Sequence, residues 1–404
     1  MSSKTGLASE AGSYRLLLQG GLALLMLIPV TLPVPVLRVL VHERFGVSEF
    51  ETSLFMSINM LGAALAAPFV GALADRLGHR RRILLWSLIL DAVCFFALMS
   101  PISFGLFMGV RFIEGAAHIS ALSMLLSIAS TSVSPIHRGR ALGLVGAGLL
   151  LGVALGAPLG GWLGQTDPLR PLLAGGLLML VAALFAGLLL HDWDTSEDSE
   201  RAPAASLLVA LRAQPRLAVP LLFAFADRFT VGFYTTTFSL FLSRVYGLDP
   251  PRIGMLIAAF MLPFALLSYP FGLLSERTSR VIMLGIGSVL YGLGTASLAM
   301  WSPAQLPYVM ALIGLSAAVM FVPTMVLTTE YASEALRSTA LSGFNAAGSL
   351  GFIVGPVVGG LISQSFGGGG DWLAGYRTAF WVAGGFEIAL VVLVLPFLRN
   401  PSRA

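Results

Sequence analysis

Charge is what this sequence has least of. Only 11% of its 404 residues are Asp, Glu, Lys or Arg, against about a quarter in a typical soluble domain. Lysine occurs once, as Lys4. No Gly-x-x-x-x-Gly-Lys-[Ser/Thr] phosphate loop can therefore exist, and the chain has no such route to direct drive by ATP. Cysteine also occurs once, as Cys94, which rules out an intrachain disulfide framework and a cysteine-based metal site. No linear metal-ligand cluster and no nucleophile–base arrangement compatible with a membrane topology stands out, so no metal, no cofactor and no enzymatic activity are expected. The arginines are scattered through loops rather than striped along a face. The net charge of +4 thus points to an anionic lipid leaflet, not to nucleic acid.

What is present instead is apolar length. The chain is 56% hydrophobic with a mean hydropathy of +0.87. A bilayer core of about 30 Å needs roughly 20 apolar residues per helix. That rule predicts spans near 16–41, 50–74, 82–100, 103–129, 139–164 and 169–191, then near 217–244, 252–274, 280–301, 304–329, 339–364 and 376–397. The first run is too long for a signal-peptide core and reads as a retained span. The expected fold is an all-α polytopic membrane protein with twelve transmembrane helices in two pseudo-symmetric six-helix bundles. Its parts are residues 1–191, a polar linker at 192–216, and residues 217–404. With both termini inside, the cytoplasmic loops and tails hold most of the basic residues, including Lys4, Arg15, Arg76, Arg80, Arg81, Arg82, Arg138 and Arg140. That bias predicts cytoplasmic termini.

The two halves repeat. Gly71, Asp75 and Arg76 reappear as Gly272, Glu276 and Arg277. Gly152, Gly156, Gly160, Gly161 and Gln165 reappear, at nearly the same offset, as Gly351, Gly355, Gly359, Gly360 and Gln364. Parallel repeats of six spans are an architecture of secondary transporters. Small residues four apart, as in Gly152-Gly156-Gly160 and Gly351-Gly355-Gly359, let helix backbones approach closely. They serve either static packing or a surface on which the halves rock.

Acids at membrane depth are costly and face a bundle interior or a watery cavity. Four qualify: Asp91, Glu114, Asp227 and Glu387. Arg111, Glu114 and His118 share one helical face by their i, i+3, i+7 spacing. A carboxylate beside a guanidinium is held charged, and takes a proton once the pair breaks and the site dries. The alternative is a fixed Arg111–Glu114 pair that pins the helix. His118 is a candidate proton relay, or a buried histidine donating one hydrogen bond. Asp227 and Arg228 are adjacent and point about 100° apart on a helix, so they are not expected to face one partner. Asp227, near mid-span, is the candidate cavity acid for a proton or a cationic substrate; its alternative is an interhelical pair with a base such as Arg111. Asp91 has only apolar neighbours in sequence and ranks lower, and Glu387 lower still. Span seven adds Phe229, Thr230, Phe233, Tyr234, Thr235, Thr236, Thr237 and Phe238, aromatics beside hydroxyls that suit a wall for amphipathic molecules. Prolines Pro29, Pro33 and Pro35 in span one, and Pro263 and Pro270 in span eight, mark breaks where transporters place sites and hinges.

The stretch Gly71-Ala72-Leu73-Ala74-Asp75-Arg76-Leu77-Gly78-His79-Arg80-Arg81 resembles the signature loop between spans two and three of the major facilitator superfamily, with His79 where a basic residue is usual. Arg111-Phe112-Ile113-Glu114-Gly115 is similar to a span-four motif of the twelve-span drug:proton antiporters, with Glu114 where Gln is common. Span five resembles the glycine-rich antiporter motif, its proline shifted from Ala157 to Pro158; span eleven has the unshifted Gly355-Pro356. The resemblance implies a proton-coupled exporter of drugs or small amphipathic metabolites working by alternating access. Glu114, Asp227 and Asp91 would exchange protons, with Arg111 tuning Glu114. It implies a cytoplasmic gate latch built from Gly71, Asp75, Arg76, Gly78 and Arg80, echoed by Glu276 and Arg277. It further implies a monomer in a bacterial inner membrane whose partners are protons, a small-molecule substrate and lipid. The rival readings are a nutrient symporter of the same fold and a non-transporting receptor or assembly protein.

Overall fold

In the computed structural model, twelve helices among the described residues are long and apolar enough to cross a membrane, from Leu16–Val36 to Trp372–Val394. The structure describes residues 2–77, 79–131, 138–190, 207–394 and 397; the side chains of 2–15, 71–77, 138–141, 335 and 338 lie outside the description. The expected linker at 192–216 is therefore described only from residue 207. No strand occurs among the described residues.

The first half comprises α1 (Ser2–Thr31), α2 (Glu49–Leu77), α3 (Arg80–Met99), α4 (Phe104–Thr131), α5 (Arg138–Leu163) and α6 (Arg170–Leu189). After a short helix α7 (Leu207–Ala213), the second half comprises α8 (Ala218–Phe233), α9 (Ser239–Arg244), α10 (Pro250–Arg277), α11 (Arg280–Ser297), α12 (Leu306–Glu330), α13 (Arg337–Gly367) and α14 (Trp372–Val394). The first span ends earlier than its apolar run. Pro33 and Pro35 lack backbone N–H groups and cannot continue an α-helix. The chain passes through a 3-10 turn at Val34–Val36 and a π-helical segment at Arg38–Glu43. Span seven is interrupted in the same manner: a π-helical turn, Tyr234–Phe238, joins α8 to α9.

Capping chemistry fixes several starts. Glu51 Oε2 accepts from Ser48 N and Ser48 Oγ, both at 2.8 Å, while Ser48 Oγ accepts from Glu51 N at 3.1 Å. This reciprocal box sets where α2 begins. Asp249 caps α10, with Pro250 at its first turn, where a missing N–H costs nothing. Ser279 caps α11 through Ile282 N.

The chain forms two compact units. The first is Met1–Val36 with Ile58–Asp198; the second is Leu37–Ser57 with Ser199–Ala404. In the first, α1 packs on α5, and α3 on α4 and α6. In the second, α8 packs on α13, α10 on α12, and α11 on α12 and α14. The sequence division at 191 and 217 keeps each half contiguous, whereas contacts assign Leu37–Ser57 to the second unit. There Ser57 Oγ donates to Ile353 O of α13 at 2.8 Å, and Gly360 leaves room for Ser53 where a Cβ would collide with its hydroxyl.

Candidate functional site

Backbone contact between small residues positions the acid cluster of the first unit. A Cβ on Gly62 would run into the carbonyl of Phe112, and one on Gly115 into the carbonyl of Asn59. Glycine at both points lets α2 lie directly on α4. That approach places Asn59, itself 5% exposed, beside Glu114. Its amide Nδ2 donates to Glu114 Oε2. Arg111, one turn earlier on α4, donates to the same oxygen. Arg111 and Glu114 are 1% and 2% exposed, so the ion pair sits away from solvent.

One helical turn further, His118 Nδ1 lies 2.9 Å from Asp91 Oδ2 of α3, with the ring N–H as donor. Asp91 is fully buried and does have a partner, contrary to the expectation from its apolar sequence neighbours; the partner comes from another helix. Asp91 Oδ1 and His118 Nε2 have no hydrogen-bond partner among the described residues. Carboxylate and imidazole atoms of Asp91, Glu114 and His118 lie within 4.8 Å of one another, a clustering that linear spacing does not display. Such a set has the donors to hold a cation. The guanidinium of Arg111 already supplies positive charge at Glu114, which opposes a divalent ion there. The arrangement can pass a proton between an imidazole and two carboxylates while Arg111 balances charge.

In the second unit, Asp227 pairs with its neighbour Arg228. The 100° separation expected from helix geometry does not keep them apart, because the arginine stem is long enough to fold back along the helix. The guanidinium also lies over Phe321 at 4.7 Å and Phe352 at 5.8 Å, a cation–π seat that holds it. Arg111 is in the first unit and paired with Glu114, so it is not described as a partner of Asp227. Asp227 Oδ1 remains unpartnered among the described residues. Asp227 lines a small cavity of about 10 Å³ with Ser288, Met320, Phe321, Thr324 and Glu387.

The aromatic and hydroxyl stretch of span seven is buried from Phe229 to Leu242. Tyr234 shares a hydrogen bond of 2.6 Å with Thr295 and stacks obliquely on Phe260 at 4.7 Å. Thr235 and Thr236 return their hydroxyls to Gly232 O. These groups build the interior of the second unit.

The expected latch is only partly described. Gly71, Asp75 and Arg76 fall at the end of α2, where side chains lie outside the described residues, as does Gly78 entirely. Arg80 begins α3 half-buried, and its Nη1 has no partner among the described residues. Arg81 donates to Gly187 O of α6. In the second half, Glu276 and Arg277 are exposed. The ion pair at that end of α11 and α12 is Arg280–Glu330. The glycine ridges lie against helices of their own units. Gly152 faces Leu24 and Leu27 of α1, Gly156 faces Ile28 and Thr31, and Gly160 faces Leu32. Gly351 faces Phe225 and Phe229 of α8, Gly355 faces Phe229, and Gly359 faces Phe233 and Thr237.

A further charge cluster had no counterpart in the sequence reading. Glu49, at the start of α2 and 1% exposed, accepts from Arg244 Nη1 at 2.8 Å and from Tyr376 Oη at 3.1 Å. Arg244 lies over Trp372 at 3.9 Å. An acidic residue at a helix start reads by default as a dipole partner in solvent, so sequence held no signal for its burial.

A family model described as Major Facilitator Superfamily matches residues 20–227 and 220–404. Quinolone resistance protein NorA of Staphylococcus aureus (strain MRSA252) is 25% identical over 234 residues, covering 58% of this chain and 60% of that protein. The chromaffin granule amine transporter of Rattus norvegicus is 24% identical over 352 residues, covering 83% and 63%. The alignments thus span about three-fifths of these relatives. Among solved structures, a bacterial homolog of the human lysosomal transporter Spinster, inward-facing and unoccupied, superposes with a TM-score of 0.83 at 18% identity over 95% of this chain and 96% of that one. The nucleoside transporter NupG superposes with 0.76 at 15% identity over 95% and 100%. With its twelve spans, its repeated halves and a family match running through both of them, the chain belongs to the major facilitator superfamily.

Proposed function

We propose that this superfamily transporter is a proton-coupled exporter of drugs or small amphipathic metabolites. The observation that carries the reading is the buried set Asn59, Asp91, Arg111, Glu114 and His118 in the first unit. Two carboxylates and an imidazole at contact range, with one carboxyl oxygen and one ring nitrogen unpartnered, form a proton store in a medium that resists bare charge. Asp227 in the second unit is the candidate acid for substrate or proton. The glycine-rich span five, the span-four motif and the partial likeness to NorA and to an amine transporter support export over import. The proposed topology has cytoplasmic termini in a bacterial inner membrane and a monomeric chain, with Asp75 and its neighbouring arginines as the cytoplasmic latch.

The test is substrate-dependent proton flux in proteoliposomes under an imposed pH gradient. The wild type should show flux, and Glu114→Gln and Asp227→Asn should lose at least tenfold of it. Flux driven by substrate moving down the same direction as the proton would instead mark a symporter. No flux with any amphipathic substrate, together with unchanging cysteine accessibility in a Cys94-free background, would mark a non-transporting protein.

A further inference from the structure

The second unit holds an acid that the proposed mechanism does not use. Glu387, in the middle of α14, is fully buried. Neither of its carboxyl oxygens has a hydrogen-bond partner among the described residues. It lines the same small cavity of about 10 Å³ as Asp227, whose Oδ1 is also unpartnered. The cavity has room for a water-sized guest. Two further hydroxyls, Ser288 and Thr324, line it. Both already donate elsewhere, Ser288 to Met320 Sδ and Thr324 to Met320 O. The Ser288 hydroxyl is also within hydrogen-bonding reach of Glu387, so the carboxyl has a neutral hydroxyl beside it and no cation.

The charges around Glu387 can be counted helix by helix. α14 packs on α8, α11 and α13 and touches α9; Arg244 of α9 is paired with Glu49, and Arg280 at the start of α11 with Glu330. From α8 come Asp227 and Arg228, which neutralise each other; the guanidinium is held by Phe321 and Phe352. From α11 comes Tyr291, fully buried and uncharged. The π-helical turn adds Tyr234, engaged with Thr295. α13 has no Asp, Glu, Lys, Arg or His after Arg337 at its first position. Nothing among these groups balances an ionised Glu387. A bare carboxylate in such surroundings is untenable; a protonated one is neutral and has acceptors at hand.

We propose that Glu387 and Asp227 form a second proton-binding site, within the second unit, at which Glu387 carries the proton while Asp227 stays paired with Arg228. The proton is taken from water and returned to water through the cavity, with no other reactant. Should Arg228 leave Asp227, the same proton can be shared between the two carboxyls. Glu387 is then the residue that lets Asp227 engage a cationic substrate without stranding a charge. Its use in transport rests on the proton-coupled reading above; its occupancy by a proton does not.

The experiment is infrared difference spectroscopy of the purified full-length protein in nanodiscs, titrated from mildly acidic to alkaline pH in choline chloride and in sodium chloride. The wild type should show a protonated-carboxyl band that disappears reversibly at alkaline pH and is missing from Glu387→Gln. In Asp227→Asn, which leaves Arg228 free to face Glu387, the band should vanish at a lower pH than in the wild type. Glu387→Gln should melt at the same temperature as the wild type or higher. If that variant is not monodisperse, Glu387→Asp and Asp227→Asn report on the same band. A band unaltered by Glu387→Gln, or a titration unmoved by Asp227→Asn, overturns the proposal. Loss of the band on replacing choline with sodium also overturns it, by making the site one for a metal cation. A titrating band without substrate-driven proton flux keeps this site and removes the proposed coupling; flux without the band does the reverse.

Discussion

Glu114 is the most constrained acid of the first unit, because Arg111 and Asn59 both donate to one of its oxygens. Removing a partner from a buried ion pair leaves a bare charge, at a cost of about 3–5 kcal/mol. Arg111→Met should therefore lower the melting temperature of the detergent-solubilised protein markedly. The double variant Arg111→Met with Glu114→Gln should recover most of that loss, since no charge is then stranded. A double variant as unstable as the single one would show that Arg111 acts by packing. The sharing of one face by Arg111, Glu114 and His118 was legible from their spacing. Their partners Asn59 and Asp91 were not, because each comes from a different helix and no local periodicity encodes which helices touch. Asp227 and Arg228 teach a related lesson: angular separation of two Cα–Cβ bonds constrains short side chains, while an arginine reaches around its own helix.

At the scale of the helix, the glycines on α5 and α13 were legible as ridges, but what they face was not. Gly156 sits against Ile28 O and the Thr31 hydroxyl, whereas a Cβ on Gly143 would meet nothing within 4 Å. Gly156→Val should accordingly destabilise the first unit and reduce the yield of monodisperse protein. Gly143→Ala should leave both unchanged, since it fills open space. Equal effects at the two positions would mean that the ridge is not a packing surface. Of the prolines expected to mark breaks, Pro33 and Pro35 do so, the α-helix ending at Thr31, whereas Pro29 lies within α1 and Pro263 and Pro270 within the continuous α10. The π-helical turn at Tyr234–Phe238 carried no such signal. Three consecutive threonines are poor helix formers, yet nothing in their order distinguishes a wider turn from a frayed end. The extra residue in that turn matters because single π turns concentrate at functional sites, and here it lies between Asp227 and the Glu49–Arg244 pair.

At the scale of the molecule, composition alone dictated a membrane protein, and apolar run length dictated twelve spans. The internal repeat pointed to two bundles. The assignment of Leu37–Ser57 to the second unit was not legible, because it depends on contacts hundreds of residues apart, such as Ser57 with Ile353. The strongest of these joins Glu49 to Arg244 and Tyr376. Glu49→Gln should remove the charge that balances Arg244 and lower thermal stability. The exchanged pair, Glu49→Arg with Arg244→Glu, should restore part of it. Tyr376→Phe should cost about 1.5–3 kcal/mol, the worth of one hydrogen bond to a charged group. An exchanged pair no better than either single variant would mean that the site tolerates only this polarity.

The placement of Leu37–Ser57 bears on how the protein can be recombined. A chimera joined at the polar linker would set a foreign second half against a resident Glu49, Ser53 and Ser57, and the partners Arg244, Gly360 and Ile353 would no longer be matched to them. Swapping the folded unit intact requires transplanting two separate stretches of the gene, one of them only twenty-odd codons long. By the same reasoning, sequence drift at Glu49 should track drift at Arg244 more closely than drift at Asn59, although Asn59 is its nearer neighbour along the chain.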